Sequence, residues 1–454
     1  MKIIIVGCGK IGTAILANLV DEGHEAVAID NDPDIITEIT NIYDVIGVCG
    51  NGADGEVLEE AGIADAELFA AVTDSDELNM LACFLAKRMG ASQTIARIRN
   101  PEYNDKNLSF MRHQLELSSS INPEKVAARE LFNLIKLPGA MKIESFARGN
   151  YEMIELKLKA ESPIVDCSLW ELRKKYDQKF LVCVVQRGEE VYIPDGNFVL
   201  KAGDRIGIAA STVEGAKLFR ALGIMKKQVK NVMIIGAGRT SYYLASKLLN
   251  VGANVTIIEK DHKRCKFIAD HLPGATVIEG DGASQEILLE EGLRSVDSFI
   301  ALTGMDEQNI LVSIFAQSNK VPQVITKVNR PELASMAENL GLDTIISPCK
   351  IISDRLSGYA RALENSLGSE METLYTLMDD KAEALEFIVR EDFEELDIPL
   401  KELSIKRNVL IAGIIRGRKP IIPTGDDFIH EGDHVIVLAA GKRINTLTEI
   451  FDKR

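Results

Sequence analysis

The chain reads as an α/β protein: two tandem copies of a Rossmann-like domain with a doubly wound parallel sheet, each followed by a small α+β module. Three observations predict this. Residues 1–32, MKIIIVGCGKIGTAILANLVDEGHEAVAIDND, and residues 229–261, VKNVMIIGAGRTSYYLASKLLNVGANVTIIEKD, both run from an apolar strand through a Gly-x-Gly turn into a helical pattern and a second strand that ends in an acid. That is the pattern of a dinucleotide-binding βαβ unit. The spacing is held, with Asp30 and Glu259 each 23 residues after the first glycine of its turn. The similarity also continues beyond the turns: GNGADGEVLEEAGI at 50–63 returns as GDGASQEILLEEGL at 280–293, and AAVTDSDELNM at 70–80 as IALTGMDEQNI at 300–310. ARIRNPEY at 96–103 returns as TKVNRPEL at 326–333, and the block at 191–211 as that at 420–440.

In the first copy KIIIVG, EAVAID, DVIGVCG, LFAAVT, TIARI and LSSSIN are short β-branched or apolar runs separated by helical patterns such as ELNMLACFLAKRMG. Strand–helix alternation at this pitch implies a parallel sheet wound in both directions. VMIIG, NVTIIE, TVIEG, SFIAL, VITKV and TIIS repeat it. A longer helix then opens at Pro123 and closes at Pro138 and Gly139, and its counterpart opens at Pro348. The expected domains are a first Rossmann-like domain over 1–120, a crossover helix within 121–140, a small α+β module over 141–222 and a linker at 223–229. The second set is a Rossmann-like domain over 230–346, a helix within 347–369 and a module over 370–454.

Composition narrows the function classes. A hydrophobic content of 46% is ample for buried cores, and a formal charge of −16 argues against non-specific nucleic-acid binding. No apolar run approaches the roughly 18 residues of a membrane helix. The N-terminal residues form the first strand of the pattern and do not read as a cleavable leader. Cys8, Cys49, Cys83, Cys167, Cys183, Cys265 and Cys349 are odd in number and contain no Cys-x-x-Cys pair. They read as reduced thiols of a cytosolic protein.

In the first pocket Gly7, Gly9 and Gly12 suit the tight turn, the close phosphate approach and the helix–strand contact, and the next helix would turn its N-terminal N–H groups to a pyrophosphate. Asp30 suits the ribose hydroxyls and disfavours a 2′-phosphate, so NAD(H) is expected over NADP(H), and ATP or ADP is also admitted. Asp32 is expected to cap the helix that begins at Pro33. The second copy keeps Gly236, Gly238 and Glu259 but has Ser241 in place of the third glycine, followed by Tyr242 and Tyr243. Asn51 and Gly52, with Asp281 and Gly282 in copy two, follow the third strand, where an adenosine end would lie. Thr73 and Asp74 end the fourth strand, with Thr303 and Gly304 as counterparts. Arg97 ends the fifth strand and suits a phosphate or ribose; its counterpart is Lys327. Asp74, Asp76 and Glu77 fit ligand contacts or the cap and first turn of a helix.

The run His430-Glu431-Gly432-Asp433-His434 matches the H-E-x-x-H zinc pattern, which needs both histidines on one helical face. Its repeat partner Lys201-Ala202-Gly203-Asp204-Arg205 reads as a Gly-Asp turn between strands, so no catalytic zinc, and no metal site of any kind, is expected. A Gly-x-Ser-x-Gly elbow and a P-loop are absent, and His24, His113, His262 and His271 fall on polar loops or helix faces. A dehydrogenase would need a substrate domain with an acid or base set against the nicotinamide. Each Rossmann-like unit leads instead into a module poor in histidine. Sensing is expected rather than catalysis.

MKIIIVGCGKIG with Asp30, AVTDSDELNM, ARIRNPEY and the paired IPDGN/AGD and IPTGD/EGD modules resemble, over essentially the full length, the tandem RCK (KTN) regulatory subunits of Trk-type potassium uptake systems. The Rossmann-like domains then correspond to RCK N-lobes and the small modules to C-lobes. The resemblance implies a cytosolic subunit on the inner face of the membrane. It would assemble as a ring of several chains under a potassium-translocating membrane protein and change its gating on binding NAD(H) or ATP/ADP. Nucleotide contacts carry over onto Gly7, Cys8, Gly9, Lys10, Ile11, Gly12, Asp30, Asn51, Gly52, Thr73, Asp74 and Arg97. In copy two they carry over onto Gly236, Ala237, Gly238, Arg239, Thr240, Glu259, Asp281 and Thr303. A related regulator serving another cation channel or transporter is the alternative.

Overall fold

Runs such as Ile3-Ile4-Ile5 and Val27-Ala28-Ile29 leave no polar face, which suits parallel strands covered by helices on both sides. The computed structural model, which describes residues 1–100, 103, 105–146, 149–224, 229–366 and 371–452, places them so. The chain divides into two compact units, Met1–Ala128 with Ser347–Ala360, and Arg129–Ile346 with Arg361–Arg454.

In the first unit, β1 (Lys2–Val6), β2 (Glu25–Asp30), β3 (Ile46–Cys49), β4 (Leu68–Ala71), β5 (Gln93–Arg97) and β6 (Ser119–Ile121) form a six-stranded sheet in the order β3-β2-β1-β4-β5-β6. Every pairing is parallel. The order reverses between β1 and β4, and at such a switch point an open α/β sheet leaves its ligand crevice. Ile3, Ile4, Ile5, Phe69 and Ala70 are completely buried. The long helix Pro348–Ser366 contributes its first part to this unit, where the amide of Asn18 donates to Ser353 Oγ and Asp354 Oδ1, both at 3.1 Å.

The second unit holds the rest. The helix Pro123–Lys136 enters it at residue 129, and its Leu134 carbonyl accepts from the buried Gln323 amide at 2.8 Å. The small sheet of β7 (Lys142–Phe146), β8 (Tyr151–Lys157), β9 (Phe180–Arg187), β10 (Glu190–Tyr192) and β11 (Arg205–Ser211) follows, antiparallel throughout, in the order β10-β9-β11-β8-β7. The second Rossmann sheet comprises β12 (Asn231–Ile235), β13 (Asn254–Glu259), β14 (Thr276–Glu279), β15 (Ser298–Ala301), β16 (Gln323–Lys327) and β17 (Ile345–Ile346). Its order β14-β13-β12-β15-β16-β17 repeats the first. The second small sheet, β18 (Met371–Leu377), β19 (Ala382–Ile388), β20 (Val409–Arg416), β21 (Lys419–Ile421) and β22 (His434–Ala440), runs β18-β19-β22-β20-β21 and likewise repeats its partner. Of the linker expected at 223–229, residues 225–228 lie outside the described residues, as do Pro101 and Glu102 of ARIRNPEY.

The two small sheets pack on each other. Phe146, Tyr151, Met153, Cys183, Val184 and Ala209 share one buried cluster with Ala384, Ala412, Ile436, Leu438 and Ala440. Small residues allow the close approach: a Cβ at Gly413 would lie 2.7 Å from the Tyr151 ring. The Tyr151 hydroxyl, wholly buried, donates to the Ala412 carbonyl, so the one polar atom of the ring is satisfied. Gly413→Ala therefore drives a methyl group into an aromatic face that has no room to retreat. The expected result is a melting temperature several degrees lower, from roughly 1–3 kcal/mol of overpacking, read by differential scanning fluorimetry against Gly417→Ala. Gly417 has nothing within 4 Å but has φ +63°, so that control reports backbone strain alone.

Candidate nucleotide-binding sites

The turn after β1 is built by exclusion. Gly7 has φ +89°, and a Cβ on it would stand 2.8 Å from the Thr73 backbone; one on Gly12 would stand 2.0 Å from the Gly7 carbonyl oxygen. Gly9 differs, because a Cβ there meets nothing within 4 Å. It is the N-cap of the helix Lys10–Asp21, with no side chain capping the first turn and no acid in it. The neighbouring helices are capped by Asp32, Asp54 and Ser75 side chains. The first-turn N–H groups of this helix, from Lys10 and Ile11 onward, thus have no side-chain cap and start beside the open position at Gly9, the arrangement that takes a phosphate. Burial, with the Asp30 carboxylate nearby, pushes the Cys8 thiol up to about 12, so it is protonated and unreactive in this turn.

Asp30, expected from the sequence to meet a ribose, is already tied to the backbone. Its Oδ2 accepts from the Cys8 N–H at 2.7 Å and its Oδ1 from the Asp32 N–H at 3.0 Å, which locks the glycine turn to the end of β2. Glu259 does the same in copy two, accepting from Ala237 N–H at 2.7 Å and Asp261 N–H at 2.9 Å. Asp32 caps the next helix through Asp34 N–H at 2.9 Å, as expected from Pro33. Asn51 and Asp281 each close a turn on the N–H two residues on, at 3.0 and 2.9 Å. Gly52 and Gly282 lie against Val6 and Ile235, where a Cβ would stand 2.1 and 2.2 Å from a methyl carbon.

At the carboxyl end of β4, Thr73 donates through its N–H and hydroxyl to Asn79 Oδ1 at 2.9 and 2.7 Å, and Thr303 repeats this with Asn309 at the same distances. The Asn79 amide donates on to the carbonyls of Thr73 and Arg97, and that of Asn309 to those of Thr303 and Lys327. Both asparagines are wholly buried and tie β4 to β5 and β15 to β16. Sequence reasoning passed over them, although DELNM and DEQNI keep the same Asn in both copies. Asp76 accepts from the N–H groups of Arg99 and Asn100, and Asp306 from those of Asn329 and Arg330. Asp76 is thus a structural tie, and the helix cap is Ser75, accepting from Leu78 N–H at 3.1 Å.

The two rims diverge. In copy one the buried Arg97 guanidinium donates to the Val72 carbonyl at 2.9 Å and to Asp74 Oδ1 at 3.0 Å, and Arg99 reaches the Asp74 carbonyl. Burial, and then Arg99, lower the Arg97 pKa without discharging a guanidinium. Copy two has Gly304, Lys327 and Asn329 at these positions and so lacks the Asp–Arg pair. Its turn keeps an uncapped helix N-terminus at Gly238, leading into Arg239 and Thr240, and an empty position at Gly238. Ser241, in the place of Gly12, is wholly buried, and its hydroxyl has no hydrogen-bond partner among the described residues.

The run 430–434 is a turn leading into β22, with no helix in it. His430 pairs with Asp397, and His434 pairs with Glu386 and Glu372, so the histidines serve different partners. Among the described residues no helix is long and apolar enough to cross a membrane.

Comparison with known proteins assigns these parts. The TrkA-N domain matches residues 3–111 and 232–348, and the TrkA-C domain matches 153–223 and 386–452. A Trk system potassium uptake protein TrkA homolog of Archaeoglobus fulgidus is 30% identical over 99% of this chain and 100% of its own length. The Trk system potassium uptake protein TrkA of Haemophilus influenzae is 30% identical over 98% of this chain and 96% of its own. Among solved structures, the RCK domain of GsuK is similar in fold, with TM-score 0.65 at 16% identity over 97% of this chain and 92% of that one. The GsuK channel bound to NAD is similar at TM-score 0.63 and 16% identity over 97% of this chain and 76% of that one. Two Rossmann-like domains and two small modules, alternating in one chain and matched end to end, place this protein in the TrkA family, whose named relatives are potassium uptake proteins of Trk systems.

Proposed function

We propose that this chain is a nucleotide-sensing regulatory subunit that gates a membrane potassium transporter of the Trk type from the cytoplasmic side. The observation that carries the reading is the empty space at Gly9, beside an uncapped helix N-terminus and the acid Asp30. The residues fit an adenine dinucleotide: the free N–H groups suit its pyrophosphate, and Asp30 suits an unphosphorylated ribose, favouring NAD(H) and also admitting ATP or ADP. The NAD named with the GsuK channel is in keeping with it. The partner would be the potassium-translocating membrane subunit, and the chains would assemble as a ring. Gating follows from linkage, since a nucleotide that prefers one arrangement of the assembly shifts it by its difference in affinity for the two.

Asp30→Ala removes the ribose acceptors and also frees the Cys8 N–H. Nucleotide affinity in the first pocket is expected to fall on the order of 10–100-fold, as for lost hydrogen bonds to a charged group, measured by calorimetry with NADH, NAD, ATP and ADP. Undiminished binding of all four would remove the first pocket from the reading. The two pockets are expected to differ in affinity or nucleotide preference, because copy two lacks the Asp74–Arg97 pair and buries Ser241. Two indistinguishable sites would show that those departures do not matter.

Gly9→Asp sets a carboxylate where the pyrophosphate would lie, at a position with room for it. It should abolish the nucleotide response of potassium uptake in liposomes that carry the membrane subunit while leaving the melting temperature within a few degrees of wild type. Equal uptake with wild type, Gly9→Asp and no regulator, together with oxidation of NADH by the purified chain, would favour a dehydrogenase instead.

A further inference from the structure

The two small modules solve one electrostatic problem in different ways. Glu155 on β8 and Glu386 on β19 occupy the same register, opposite Gly207 and Ile436 respectively, and both are buried. Two residues earlier on the facing strands stand Arg205 and His434. In the first module the Arg205 guanidinium bridges Glu155, at 2.8 Å, to the more exposed Asp379, at 2.9 Å. A permanent cation thus lies between a buried and an outer carboxylate. In the second module His434 takes that place. Its Nδ1 is 2.8 Å from Glu386 Oε1 and 2.9 Å from Glu372 Oε2. A single ring nitrogen holds at most one proton, and it cannot serve two carboxylates as a guanidinium does.

We propose that Glu372, Glu386 and His434 bind a first-row divalent cation such as Zn²⁺, which in the second module does the work of the Arg205 guanidinium. Among the described residues this is the one group of three His, Cys, Asp or Glu side chains whose ligand atoms all lie within 4.8 Å of one another. The donor set is one imidazole nitrogen and two carboxylates, which suits Zn²⁺ or a neighbouring transition ion and disfavours Mg²⁺ and Ca²⁺, whose ligands are oxygen. Two carboxylates and a neutral ring carry a charge of −2, matched by a divalent ion. Thr373 Oγ1 donates to Glu386 Oε2 at 3.0 Å, which orients that carboxylate. Tetrahedral ligands about 2.0–2.1 Å from zinc lie roughly 3.3 Å apart, so His434 Nδ1, now 2.8 and 2.9 Å from the two carboxylate oxygens, needs to open from each by about half an ångström. The Glu372 side chain is 45% exposed and that of Glu386 3%, so one side of the site is open to solvent and the other is fixed in the sheet. The expectation from sequence that the chain holds no metal is revised accordingly: His434 enters a donor set drawn from β18, β19 and β22, and His430 takes no part in it.

The test uses the full chain, stripped with chelator and titrated with Zn²⁺ by calorimetry, with Mg²⁺ as control. One Zn²⁺ site per chain is expected to weaken about a hundredfold or more in both Glu372→Gln and His434→Arg, as for loss of one of three protein ligands. His434→Arg restores the arrangement of the first module and should fold without metal; Glu372→Gln changes a part-exposed residue and guards against misfolding in the other variant. Zn²⁺ should raise the melting temperature of the wild type and not of the variants. Zn²⁺ bound equally by all three proteins would place the ion elsewhere and overturn the proposal, as would Mg²⁺ binding as tightly as Zn²⁺, or no Zn²⁺ site in the wild type. Such an ion would bind whether or not the Rossmann-like pockets hold nucleotide.

Discussion

The second unit depends on burying both faces of its small sheets. In β22 the side chains alternate in destination: Val435, Val437 and Ala439 enter the module's own core with Phe387 and Ile450, while Ile436, Leu438 and Ala440 enter the cluster shared with the first module. A five-stranded sheet of this size has too few helices to cover its second face, and the apolar area left over would drive association. The repeat supplies an equivalent sheet in the same chain. Alanine and glycine at the contact let the sheets come close, and polar groups that enter it find partners, Tyr151 a carbonyl and Glu155 both Arg205 and the Met378 N–H.

The Rossmann-like sheets show a different economy. In each copy one acid, one buried asparagine and one buried aspartate hold the backbone at the carboxyl edge: Asp30, Asn79 and Asp76, then Glu259, Asn309 and Asp306. These bonds fix the backbone at the carboxyl edge by themselves, so a ligand bound there would have little loop ordering left to bring about. What separates the copies lies outside this frame, at Asp74, Arg97 and Arg99 against Gly304, Lys327 and Asn329. Such rim residues can differ without loss of the fold: the Asn329 amide reaches the Asp306 carboxylate at 3.5 Å, whereas Asn309 holds the Thr303 N–H and the carbonyls of Thr303 and Lys327.

Much of this was legible in the residues. Strand positions, the doubly wound sheets and the two turns follow from short-range rules, since hydrophobic period, glycine placement and the distance to an acid are all local along the chain. The duplication made them firmer, because an error in reading one copy would have to recur in the other. It also disposed of the H-E-x-x-H match, since Lys201–Arg205 shows the turn without histidines. The same argument drew attention away from His434, because its counterpart Arg205 is a permanent cation paired with a buried acid, whereas His434 brings a ring nitrogen to two carboxylates.

Residue order thus determined the architecture of each part and the position of each glycine turn. Only the tertiary structure decided that the two small sheets share a core, that Asp30 and Glu259, read from the sequence as ribose acceptors, brace the glycine turns, and that Glu372, Glu386 and His434 converge. The reason is range. A turn or a strand answers to neighbours a few residues away, whereas Tyr151 meets Ala412, and Glu386 meets His434, only after the sheets have closed and paired. Contacts of that separation leave no period in the sequence to read.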